Sequence, residues 1–150
     1  MQASEVRRRI LTDHQRLRRD LERLERLANQ IRQGLPIPLA MLREDIERLF
    51  VWLRAHMEWE ESYLLPALRE ADAWGAERGE RLIRDHREQR ELLDFLVARL
   101  RDATRPAEIV VGDVCHLVEL LREDIREEEQ ELLDERVLRD DVVGIAVETG

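Results

Sequence analysis

A histidine and a glutamate stand four residues apart in His56-Met57-Glu58-Trp59-Glu60, and a helix makes positions i and i+4 neighbours on one face. Trp52 and Leu53 lie on that face one turn earlier, Tyr63 and Leu64 one turn later. Burying an imidazole and a carboxylate on such an apolar stripe is costly unless something pairs with them. A metal ion does so, because neutral imidazole and carboxylate are both ligands. Taken alone the pair carries little weight, since the same spacing arises by chance where a satisfied core histidine sits beside a solvated glutamate.

The rest of the chain repeats the pattern. Ile10-Leu11-Thr12-Asp13-His14 matches Leu82-Ile83-Arg84-Asp85-His86, and Leu17, Leu21 and Leu24 are echoed by Gln89, Leu93 and Leu96. A shift of 68 residues lays Pro38 on Pro106, Ile46 on Val114, Leu53-Arg54 on Leu121-Arg122 and Leu64-Leu65 on Leu132-Leu133. It also lays His56 on Asp124, Glu60 on Glu128 and Glu61 on Glu129. Each half therefore offers one histidine on a first helix and a ligand-xxx-Glu pair on a second.

The elements must bring these groups to one level. His14 lies 20 residues before Gly34 and His56 lies 18 after Pro38, so both stand about 27–30 Å from the same turn at 1.5 Å per residue. His86 and Asp124 stand at the same two separations from Pro106. Folded antiparallel, all four side chains reach one layer, with Glu60 and Glu128 one turn further on. Three histidines and three carboxylates there suit a pair of iron or manganese ions, bridged by Glu60 and Glu128.

The predicted elements are four amphipathic helices. The first covers Ser4 to Gln33 and ends at Gly34, and Pro36 and Pro38 prevent its resumption. The second opens near Pro38 and runs through Leu42, Ile46, Leu49 and Leu53 to a last turn at Pro66 and Leu68. Ala71 to Gly79 reads as a loop, Glu80 to Ala103 as the third helix, and Pro106 to about Val137 as the fourth. Short connections make this an all-α, antiparallel up-down-up-down four-helix bundle of two repeated hairpins over residues 1–137, with a tail at 138–150.

Composition agrees. At 150 residues the chain fits one domain with a real core. Charged residues make up 39% and aromatics only 4%, the mix of long amphipathic helices and not of a β-sandwich. A net charge of -9, with every basic residue an arginine, argues against nucleic acid or an anionic membrane as the main partner. The single Cys115 excludes an internal disulfide and suits a reducing, cytoplasmic setting. No apolar run is long enough for a signal peptide or a bilayer span. There is no glycine-rich phosphate loop, no CxxC pair and no serine nucleophile elbow.

With these residues in view, roughly residues 6 to 135 resemble the hemerythrin-like (HHE) cation-binding family. The resemblance rests on Asp13-His14 with its leucine stripe, on His56 to Glu61 followed by Leu64-Leu65-Pro66, on His86, and on Asp124 to Leu133. It implies a four-helix bundle around a non-haem di-iron site. The family's first histidine falls on His14, its HxxxE pair on His56 and Glu60, and its third-helix histidine on His86. Its fourth-helix acidic bridge falls on Glu128, or on Glu129 if the longer spacing of the oxygen-carrying members applies.

Two positions depart from the oxygen carriers. Arg90 stands where they have a second third-helix histidine, and Asp124 replaces the fourth-helix histidine. A harder, more anionic donor set favours the ferric state. The expectation is therefore oxidation of Fe²⁺ by O₂, consumption of peroxide, reaction with NO, or iron handling, in preference to reversible O₂ carriage. Manganese or zinc can fill the same donors. The alternative is a non-enzymatic sensing, storage or partner-docking bundle in which Asp124 marks a partly lost site.

Tyr63, one turn past Glu60, is a candidate hydrogen-bond or redox partner at the metal layer, or else a core aromatic. His116 is expected on the surface, Cys115 in the core, and Glu58, Glu61, Glu127 and Glu129 on solvated faces, with Glu61 and Glu129 as reserve ligands. Asp13 and Asp85 precede the first-helix histidines and are placed at the surface, with support of those histidines as the other reading. Gly112 suggests a close helix contact. The β-prone residues 140–150 read as a flexible tail, as one that folds back over the bundle, or as a peptide that docks on a protein partner.

Overall fold

The computed structural model describes residues 1–140. Four helices follow one another: α1 (Ala3–Arg32), α2 (Leu39–Ala71), α3 (Gly75–Arg101) and α4 (Ala107–Glu131). They form a four-helix bundle, and no strand occurs among the described residues. No helix is long and apolar enough to cross a membrane.

The turns explain the order. Gly34 takes φ +82°, and the N–H groups of Gly34 and Leu35 donate to the carbonyls of Ile31 and Gln30 at 3.0 and 3.1 Å, closing α1 as a left-handed glycine cap does. Pro38 and Pro106 are the N-caps of α2 and α4. The third helix starts five residues before the expected Glu80. Asp72 accepts from the Trp74 N–H at 2.8 Å and from Arg78 at 2.7 Å, so its side chain organises the turn into α3. Gly75 can stand there because it has no Cβ, which would lie 2.3 Å from the Leu68 carbonyl oxygen.

The fourth helix ends at Glu131, short of the expected Val137. Leu132, Leu133 and Leu138 are buried all the same, because this turn folds under α1. Arg7 donates to the Leu133 carbonyl at 2.6 Å, and Asp140 accepts from the Ser4 backbone at 2.9 Å. The first three residues assigned to the tail thus lie against the bundle, and 141–150 fall outside the described residues.

The apolar core is split in two. A larger block runs from Leu17 through Ala28 on α1, Leu42 to Met57 on α2, Leu93 to Leu100 on α3 and Val110 to Ile125 on α4. A smaller block gathers Val6, Ile10, Leu64, Leu68, Leu82, Leu132, Leu133 and Leu138. On every helix one candidate ligand falls between the two: His14 between Ile10 and Leu17, Glu60 between Met57 and Leu64, His86 between Leu82 and Leu93, and Glu128 between Ile125 and Leu132, while His56 and Asp124 fall within the last turn of the larger block. Packing is uneven around the bundle, with α3 and α4 meeting only sparsely while the other adjacent pairs pack closely.

Candidate metal centre

The polar layer holds the four buried polar side chains of the described residues: His14, His56, Glu60 and His86. One ligand atom from each of His14, His56, Glu60 and Glu128 lies within 4.8 Å of the others. His14 Nε2 stands 3.3 Å from Glu128 Oε1 and 3.9 Å from Glu60 Oε1. His56 Nε2 contacts Glu60 Oε1 as well. The other Glu60 oxygen faces the opposite way, with Oε2 3.2 Å from His86 Nε2. One carboxylate thus divides its oxygens between two groups of imidazoles.

All three imidazoles turn Nε2 inward and Nδ1 outward. His14 Nδ1 lies 3.4 Å from Glu129 Oε2, His56 Nδ1 3.2 Å from Asp13 Oδ2, and His86 Nδ1 2.9 Å from Glu61 Oε1. Arg18 donates to both Glu129 oxygens at 2.8 Å. Arg90 grips Glu61 with two bonds, at 2.6 and 3.0 Å. Trp52 stacks on His56 with ring centroids 5.1 Å apart and planes 7° from parallel.

Charge and burial oppose each other here. Burial pulls His14 down, yet hydrogen bonds and charge from Glu128 and Glu60 outweigh it and lift its pKa to about 10. His56 and His86 are also raised against their burial, chiefly by Glu60. Burial pushes Glu60 up, but the three imidazoles pull it well below the usual carboxylate range. Burial and then the charge of Glu60 raise Glu128, which has only His14 to offset them, to about 7. The layer therefore retains protons that a cation would displace.

The residues fit a bound cation. His56 Nε2, Glu60 Oε1 and Glu128 Oε1 are buried in close contact with neighbouring donors or acceptors, yet none makes a hydrogen bond of good geometry, and buried polar atoms left so are expensive. All three residues belong to the group of four whose ligand atoms gather within 4.8 Å. Nitrogen and oxygen donors of this kind suit iron, manganese or zinc.

Other expected residues lie elsewhere. Asp124 is half-buried and lines a groove of about 200 Å³ between α3 and α4, with Asp85, Glu88, Glu127, Glu128 and Arg81. Burial, then the charges of Glu127, Asp85, Glu123 and Glu88, raise it to about 6. Tyr63 is 44% exposed and leans on Trp59, with centroids 4.8 Å apart, so it faces out of the bundle instead of into the metal layer. His116 is exposed as expected, and Cys115 is partly buried against the larger core block. Gly112 has nothing within 4 Å of a built Cβ, so no close helix contact requires it.

Glu61, Glu129 and Asp13, assigned above to solvated or surface positions, are partly buried partners of the imidazoles. A signal for them exists. Each flanks a ligand by one residue, and Arg18 and Arg90 both lie four residues after a first-helix histidine.

The family described as the Hemerythrin HHE cation binding domain matches residues 6–135. No curated protein and no solved structure matches the chain.

Proposed function

The chain belongs to the hemerythrin HHE cation-binding domain family, and from that premise we propose a non-haem di-metal protein whose resident ions are iron. His14, His56, Glu60 and Glu128 would hold one ion. His86, Glu60 and Asp124 would serve the other, with Glu60 and Glu128 shared between the two. The observation that carries this reading is the divided carboxylate of Glu60, which addresses His14 and His56 with one oxygen and His86 with the other. Asp124 rests on the repeat alone, because its charged neighbours are carboxylates of the α3–α4 groove.

When bound, iron supplies electron transfer to O₂, peroxide or NO. The chain's own residues supply the setting. The two apolar blocks above and below the layer help to bury His14, His56, Glu60 and His86, which strengthens the charge interactions among them. The imidazoles turn their Nε2 atoms inward, and they and Glu128 give up protons on loading, while Glu60 is already ionised. Arg90 grips Glu61 and adds no imidazole, so the donor set stays rich in carboxylate and favours the ferric state. That supports an oxidase- or peroxidase-like or iron-handling protein over a reversible carrier. The lone cysteine fits a cytoplasmic setting.

A second reading, a non-enzymatic sensor, store or docking bundle with one ion, is favoured by the position of Asp124 outside the four-residue group. Metal content and turnover separate the two. Purified protein carrying two equivalents of iron, with Fe²⁺-dependent O₂ or peroxide consumption lost in a folded His56→Ala variant, supports the first. Bound metal without turnover leaves the second.

A further inference from the structure

We propose that Glu61, Glu129 and Asp13 are the positioning residues of this centre, set by the same internal two-fold repeat as the ligands. Resting on the di-metal reading above, the proposal assigns Arg90 the role of a clamp instead of a lost ligand.

Each supporting carboxylate reaches across a seam to a histidine on another helix. Glu129 of α4 meets His14 of α1, Glu61 of α2 meets His86 of α3, and Asp13 of α1 meets His56 of α2. The first two are equivalent: Glu61 repeats as Glu129 at a shift of 68, and His14 repeats as His86 at a shift of 72. Their clamps repeat as well. Arg18 is four residues after His14 and Arg90 four after His86, and each makes two hydrogen bonds to its carboxylate. Arg90 thus has an exact counterpart in a half of the chain where no imidazole is missing.

The third relay repeats too, but incompletely. Arg9 lies 3.4 Å from Asp13, which supports His56. Arg81 lies 3.7 Å from Asp85, and the position equivalent to His56 is Asp124. Asp85 is therefore a support whose imidazole has been replaced.

The chemistry explains why the supports matter. A neutral imidazole has two tautomers, and Nε2 can donate its lone pair to a cation only when Nδ1 carries the proton. A carboxylate at Nδ1 accepts that proton's hydrogen bond, selects the tautomer and fixes the ring. The bidentate arginine holds the carboxylate in place. It also sets a positive charge against the Glu61 carboxylate, 2.6 Å away.

The test is a Co²⁺ titration of the full chain, read by visible absorption, with Glu61→Ala, Glu61→Gln and His86→Ala. Far-UV circular dichroism checks that each is folded. Glu61→Ala is expected to weaken the step that uses His86 by about 10- to 100-fold. Glu61→Gln should retain most of that affinity, because an amide oxygen still accepts from Nδ1–H. In the His86→Ala background the Ala and Gln exchanges should become equivalent. A merely structural role would lower thermal stability without separating Ala from Gln. If Glu61→Ala titrates like wild type, the positioning role is overturned and the di-metal reading stands. If wild type takes up no Co²⁺, both fall together.

Discussion

The α1–α2 and α3–α4 seams are two copies of one design that differ at a single decisive position. In the first, Asp13 stands 3.2 Å from His56 Nδ1, and the helices pack closely. In the second, the equivalent Asp85 faces the region of Asp124, and a carboxylate beside a carboxylate repels where imidazole would bind. Both acids are raised, burial being the largest cause in each. The helices meet sparsely there and leave an acidic groove. The same backbone spacing thus accompanies a sealed seam where the aspartate meets an imidazole and an open groove where it faces a carboxylate.

The two glutamates carry the comparison into the centre, and their removal gives the largest expected effect. Glu60 is approached by three imidazoles and Glu128 by one. Glu60→Ala should abolish metal retention, a loss well beyond the ~100-fold typical of a supporting partner, whereas Glu128→Ala should retain one equivalent. Metal content measured by plasma emission decides it, and equal losses would break the asymmetry.

A smaller effect sharpens the seam comparison. The folded pKa of Asp124 is raised from 3.8 to about 6, so between those values the fold binds more protons than the unfolded chain. The stability this group contributes is thus fully present below 3.8 and is lost as pH rises through about 6. In metal-free protein, Asp124→Asn should match wild type near pH 4 and exceed it at pH 7 by about 1 kcal/mol, allowing for solvent screening at this half-exposed side chain. That is about 2–4 °C in Tm. Asp124→His should give at least the same gain at pH 7, because Asp85 would then have its imidazole. Thermal melts at the two pH values check both, and a pH-independent difference would contradict the account.

The smallest effect lies away from the centre. Gly112→Ala on the exposed face of α4 should stabilise by up to about 1 kcal/mol with metal content unchanged, because nothing lies within 4 Å of the added Cβ. Chemical denaturation measures it.

Much of this was legible from residue spacing. Apolar steps of three and four, Gly34, Pro38 and Pro106 define the helices because each acts locally. Heights counted from the same turns bring together His14, His56, Glu60 and Glu128 because helical rise is constant. Spacing is silent where a neighbouring helix decides. Gly75 must be a glycine because the backbone of α2 passes so near, and Leu132, Leu133 and Leu138 continue the apolar pattern past the end of α4 because they pack into the smaller block under α1. Asp13, Glu61 and Glu129 sit about 100° from a ligand on their own helix, which suggests solvent until the adjoining helix presents an imidazole. Tyr63 misleads in the opposite sense, since it leans on the half-buried Trp59 and remains 44% exposed.

The split core also fixes how the helices can be assembled. Two greasy blocks divided by one charged cross-section admit a single vertical alignment, since sliding any helix by a turn would set a leucine against the acids and a histidine against hydrocarbon. That cross-section is a ratchet tooth: it costs stability when it holds only protons, and it makes slippage costlier still. A cation seated there would brace all four helices at mid-height, so heat resistance should follow cation concentration even though most of the hydrocarbon lies elsewhere.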